Sequence, residues 1–78
     1  MKIDAVPEPN LATLREVFNR LRHQSGQSYD DLAEASGLSR RTLINIGTGT
    51  THGDLRTWLI LARTWSKSMD ELLAPVWE

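Results

Sequence analysis

An all-α domain of five short helices is predicted by three features of this chain. Apolar residues recur at three- and four-residue spacing through most of its 78 residues, and no stretch alternates in the manner of a half-buried strand. Residues suited to capping a helix, namely Asn10, Ser28, Ser39, Asp54 and Ser68, stand just ahead of each periodic segment. Glycine or proline punctuates the segment ends at Gly26, Gly37, Gly49 and Pro75.

Residues 1–10, with Pro7 and Pro9 around Glu8, are expected to form an extended arm, because proline disfavours a helical residue before it. A first helix is predicted over 11–24, capped by Asn10. Leu11, Leu14, Phe18 and Leu21 form its stripe, Val17 broadens it, and Arg15, Glu16, Asn19, Arg20 and Arg22 lie mostly off it. Ser28 with Asp31 has the form of a capping box for a second helix at about 29–35. That helix turns Leu32 and Ala33 inward and Asp30, Asp31 and Glu34 outward. Only Leu38 separates Gly37 from Ser39, which caps a third helix at about 40–47 burying Leu43 and Ile46. Two short helices joined by a tight glycine-containing turn make the skeleton of a helix-turn-helix. Gly47 to Gly53 is a loop by composition. Asp54 caps a fourth helix to about Trp65, with Leu55, Trp58, Leu59, Ala62 and Trp65 on one face. Ser68 caps a fifth carrying Met69, Leu72 and Leu73, limited by Pro75. One domain over 11–74 followed by a short tail, 75–78, is the resulting organisation.

Hydrophobic residues make up 40% and charged residues 24%, a globular rather than a disordered mix. The absence of cysteine excludes a disulfide framework, a Cys-based zinc site and thiol chemistry. His23 and His52 stand far apart with no carboxylate at ligand spacing, so no metal site is expected. Trp58 to Ala62 is the longest apolar run, far short of the ~20 residues of a membrane span. The N-terminus has one lysine and no apolar block behind it, so a cytoplasmic protein is expected. Asp30, Asp31 and Glu34 occupy a first helical turn, where acidic residues are favoured electrostatically, and need no catalytic explanation. Gly47-Thr48-Gly49-Thr50 lacks the Gly-Lys-Ser/Thr of a phosphate-binding loop. Neither enzyme activity, nor a cofactor, nor a small-molecule ligand is expected. The net charge is −1, yet residues 11–68 hold eight basic and five acidic groups, a local +3 between two acidic ends.

The stretch Ser28 to Leu73 resembles the lambda-repressor/Cro-type helix-turn-helix family, also called the XRE family. The matching elements are Asp31-Leu32-Ala33, Gly37-Leu38-Ser39 at the turn, Thr42-Leu43 and Ile46 in the third helix, then Gly49, Ala62 and Ser68-Met69-Asp70-Glu71-Leu72-Leu73. Arg22 falls where the family often has an arginine late in its first helix. Tyr29 stands where a glutamine that braces the recognition helix is usual, Gly47 replaces a frequent glutamate that pairs with the Arg22 position, and Lys67 replaces a buried aliphatic. Arg22 is therefore expected to face phosphate or solvent.

The resemblance implies a third helix lying in the major groove of DNA. Its base-reading residues would be Arg40, Arg41, Thr42 and Asn45. Arginine can pair bidentately with guanine and asparagine with adenine. Two arginines at a helix N-terminus oppose its dipole, which also points to an anionic partner. Backbone contacts would come from Ser28, Tyr29, Ser39, Thr48, Thr50, Thr51, His52 and Arg22. Ile44 and Ile60 fall at usually exposed positions, and Ile60, Val76 and Trp77 are expected to form a homodimer or partner interface. The implied function is a sequence-specific, double-stranded DNA-binding transcriptional regulator, a Cro-like phage or plasmid repressor on a palindromic operator. The alternatives are an antitoxin-type autoregulator, or a protein-interaction module on the same fold without DNA binding.

Overall fold

The structure, a computed structural model, describes residues 5–78. Five α-helices follow in order, α1 (Thr13–Gln24), α2 (Tyr29–Ser36), α3 (Arg40–Gly47), α4 (Leu55–Thr64) and α5 (Met69–Leu73), closed by a 3-10 helix, Ala74–Trp77. There is no strand among the described residues. Four of the helices start on the side-chain caps expected of them. Ser28 Oγ accepts from the Asp31 amide at 3.0 Å while Asp31 Oδ2 accepts from the Ser28 amide at 3.1 Å. Ser68 and Glu71 make the same reciprocal pair at 3.1 Å each. Ser39 Oγ accepts from the Thr42 amide at 3.1 Å, and Asp54 Oδ1 from the Thr57 amide at 2.8 Å. Each such cap is worth about 1 kcal/mol.

Two of these carboxylates couple stability to pH. Hydrogen bonds from the Thr57 side chain and then its amide hold the Asp54 carboxyl below its ordinary pKa. Those from the Ser68 amide and then its hydroxyl do the same for Glu71. A carboxyl whose folded pKa lies below its unfolded one stabilises above the unfolded value, and that contribution disappears as pH falls through the folded value. Melting temperature should therefore drop on acidification through the carboxylate range. Asp54→Asn, which caps without titrating, should flatten part of that drop; an unchanged profile in the variant would assign the acid sensitivity elsewhere.

The core gathers Leu14, Val17, Phe18 and Leu21 of α1, Leu32 of α2, Leu43 and Ile46 of α3, and Trp58, Leu61 and Ala62 of α4, with Leu38, Leu72 and Val76. Through these side chains α1 packs on α3, α5 and the 3-10 helix, and α2 packs on α3 and α4. Phe18 sits fully buried at the centre, stacked on Tyr29 at a centroid distance of 6.3 Å and edge-on to Trp65 at 5.9 Å.

Several expectations need correction. The first helix begins at Thr13, after a turn in which Asn10 Oδ1 accepts from the Ala12 amide at 3.2 Å, so Leu11 precedes the helix and is exposed. The fourth helix is rotated from its expected face: Leu55 and Leu59 are 68% and 49% exposed, whereas Leu61 is fully buried. The phase is set by Trp58, whose indole N–H donates to the His52 carbonyl at 2.7 Å. Ile60 consequently is half-buried against the core rather than free for a partner.

Pro75 does not end the chain's structure. It lies in the first turn of the 3-10 helix, where an amide donor is dispensable. Val76 then folds into the core, with its carbonyl accepting from the Asn10 amide at 2.8 Å. Residues 75–78 thus dock on α1 instead of forming a separate tail, and of the expected interface residues only Trp77 is exposed. Residues 5–10 form neither helix nor strand; the first four of the expected arm lie outside the described residues.

Candidate functional site

α3 is anchored by one face and free on the other. Leu43, Ile46 and Gly47 are buried against α1 and α2. Arg40, Arg41, Ile44, Asn45 and Thr48 fall on the opposite side, at the one- and four-residue spacing of a helical stripe. The two arginines and Thr48 are exposed, while Ile44 and Asn45 are half-buried. Thr42 stands at the flank of this stripe, its Oγ1 accepting from the Ser39 hydroxyl at 2.8 Å. Three of the four expected base-reading residues therefore share one outward face.

Arg40 does not wait for an external anion. Its Nε lies 2.9 Å from Asp30 Oδ1, the one ion pair among the described residues. The positive charge at this helix start, which opposes the dipole, is thus answered from α2. Both side chains are largely exposed, so the pair contributes about 0–1 kcal/mol to stability. Arg41 has no such partner among the described residues.

Beside the stripe runs an open groove lined by Leu38, Ser39, Thr42, Asn45, His52 and Arg56, among others. Its far wall is the loop between α3 and α4, which is tied down at both ends. The Thr51 amide donates to the Asn45 carbonyl at 3.2 Å, and Thr48 and Thr50 hydroxyls lie 2.9 Å apart. Gly53 has a φ of +78°, and a Cβ there would stand 2.9 Å from Trp58 Nε1 and 3.0 Å from Ile46 Cδ1, so the loop closes tightly on the core. Thr50, Thr51 and His52 remain exposed on it.

Comparison with protein-family models, curated proteins and solved structures finds no significant match. No cluster of three or more potential metal ligands occurs among the described residues, and no helix is long and apolar enough to cross a membrane.

Tyr29, Arg22 and Gly47 form an internal unit instead of an outward one. The Arg22 guanidinium carbon lies 4.3 Å from the Tyr29 ring centroid, and its Nη1 donates to the Gln27 carbonyl at 2.9 Å. Arg22 thus turns onto the fold and is half-buried, contrary to the outward position expected of it. A Cβ on Gly47 would run into the Tyr29 hydroxyl, so the glycine makes room for the tyrosine. Asn19 Nδ2 donates to the Gly47 carbonyl at 2.9 Å and fastens the end of α3 to α1. Ser28 is likewise committed to its capping box, although its hydroxyl stays exposed.

Two residues at this surface carry no signal in the sequence pattern. Arg15 of α1 lies beside the loop, its Cδ 3.1 Å from where a Gly49 Cβ would be. Asp30 pairs with Arg40 across the turn. Ile44, singled out in the sequence only as an exposed apolar residue, belongs to the outward stripe; its four-residue spacing from Arg40 was the available signal.

Proposed function

We propose that the protein is a sequence-specific regulator binding double-stranded DNA through α3, in the manner of the lambda-repressor/Cro-type proteins that its sequence resembles. One observation carries the reading: the stripe Arg40, Arg41, Ile44, Asn45 and Thr48 projects from a helix whose other face is locked into the core. A major groove about 12 Å wide admits such a helix. The stripe offers guanine-pairing arginines, an adenine-pairing asparagine and an isoleucine suited to a thymine methyl, each good polar pair worth about 1–3 kcal/mol of discrimination. Thr48 at the end of the stripe, and Ser39, Thr50, Thr51 and His52 on the groove and loop beside it, supply hydroxyls and an imidazole for phosphate oxygens. A homodimer on DNA would set two α3 helices about 34 Å apart and read a palindrome. Regulation by occupancy, without catalysis or a cofactor, follows from such a site.

Selection from a randomised duplex library tests this directly. The wild type should enrich a palindrome, and Arg40→Ala/Arg41→Ala should lose at least about 30-fold in preference for it, the equivalent of one lost discrimination of about 1 kcal/mol at each arginine. Failure of the wild type to enrich any sequence at low salt, where phosphate contacts are strongest, would refute the reading. A protein-interaction role without DNA binding would then stand in its place, favoured by the exposure of Leu55, Leu59 and Trp77.

A further inference from the structure

We infer that Asp30 is a positioning residue for Arg40, holding its guanidinium so that only the terminal fork faces outward; this rests on the DNA-reading function proposed above. A guanidinium can offer two parallel donors either along its Nε edge or at its Nη1/Nη2 end. Asp30 Oδ1 takes Nε at 2.9 Å, which closes the edge and leaves the end. Arg40 is the first residue of α3, and Asp30 is the second of α2. The contact therefore locks the start of the reading helix to the start of its neighbour. Tyr29, adjacent to Asp30, is turned inward onto Phe18 and Arg22 and cannot share the task.

The first turn of α2 already favours an acidic residue, but that preference does not aim the carboxylate at Arg40 Nε. An exposed pair adds little to stability, and a carboxylate near the reading face repels phosphate. Its gain is orientational: Arg40 meets a guanine O6/N7 pair already aimed, where a free arginine would first have to be ordered. Arg41 has no ion-pair partner among the described residues and serves as the internal control.

The test compares Asp30→Ala and Asp30→Asn with the wild type on the enriched duplex, on all its single-base-pair variants, and on random duplex. Both substitutions remove the same charge, so both should tighten binding to random DNA alike. Alanine should reduce discrimination about 3- to 5-fold at the base pair whose preference Arg40→Ala abolishes, in keeping with the strength of an exposed ion pair. Asparagine, which keeps an oxygen to accept from Nε, should retain part of that preference. Discrimination at the base pairs sensitive to Arg41→Ala and Asn45→Ala should not change, and the helical circular dichroism should match the wild type. A base-pair profile unaltered in Asp30→Ala, or flattened evenly at every position, overturns the positioning role while leaving DNA reading intact. A wild type with no preferred sequence removes DNA reading itself, and this inference with it.

Discussion

Phe18→Ala should destabilise the fold by about 3–5 kcal/mol, the range for deleting a buried phenylalanine side chain. Phe18 is fully buried and touches the rings of both Tyr29 and Trp65, so the cavity would open where α1 meets α2 and the end of α4. Each aromatic pair adds about 0.5–1.5 kcal/mol beyond area burial, which places the expected loss in the upper half of that range. A chain of this length has a total stability of only roughly 4–12 kcal/mol at ordinary values per residue. The melting temperature should fall by roughly 15–40 °C, since 1 kcal/mol shifts a domain of this size by about 4–8 °C. Thermal denaturation followed by circular dichroism measures it, with tryptophan fluorescence reporting the Trp65 environment. Leu11→Ala is the matched control: Leu11 is exposed, and its removal should change stability by less than about 0.5 kcal/mol. Similar melting temperatures for the two variants would contradict the core as described.

That contrast shows what a sequence conveys and what it withholds. Helix starts at Ser28, Ser39, Asp54 and Ser68 were legible because a cap is local chemistry: one side chain, three residues from the amide it satisfies. The phase of α4 was not. Trp58 to Ala62 is apolar throughout, so periodicity alone does not choose between Leu59 and Leu61. The choice falls to Trp58, whose indole reaches back to the His52 carbonyl, and to the buried Thr57 beside it. Val76 was missed for a related reason. Proline signals a helix end, but it also fits the first turn of a new 3-10 helix, and only the meeting of Val76 with Asn10 decides between the two.

The candidate site divides along the same line. The outward stripe of α3 follows from spacing along one helix, and Arg40, Arg41 and Asn45 were readable from it. Asp30 was not, because its partner is ten residues away across a turn whose geometry no periodicity encodes. Arg22 was misread because pairing one residue with an expected partner ignores what else can cover it. Here a tyrosine ring and the Gln27 carbonyl do so.

The same unit makes Gly47 and Tyr29 a coupled pair rather than two separate oddities. Gly47→Ala should destabilise by about 2 kcal/mol net, because running into the Tyr29 hydroxyl puts the overpacking cost at about 3 kcal/mol, the upper end of the usual range, and alanine's helix propensity returns about 1 kcal/mol. The tyrosine cannot simply swing aside, since its ring is stacked on Phe18 and covered by the Arg22 guanidinium. Deleting the hydroxyl removes the obstruction at its source. In a Tyr29→Phe background, Gly47→Ala should therefore cost less than about 0.5 kcal/mol, or even stabilise through propensity. The remaining neighbours, Asn19 Oδ1 at 3.2 Å and Phe18 Cε2 at 3.3 Å from the new methyl, need to yield only slightly. Urea unfolding of the wild type, both single variants and the double variant gives the coupling, expected at about 1.5–2 kcal/mol. Additive costs would mean that the hydroxyl does not set the limit at Gly47. A large coupling would instead explain jointly why the tyrosine, the glycine and the inward Arg22 occur together: once Tyr29 fills the corner between α1 and α3, any side chain at the end of α3 is excluded, and the arginine's companion becomes the ring itself.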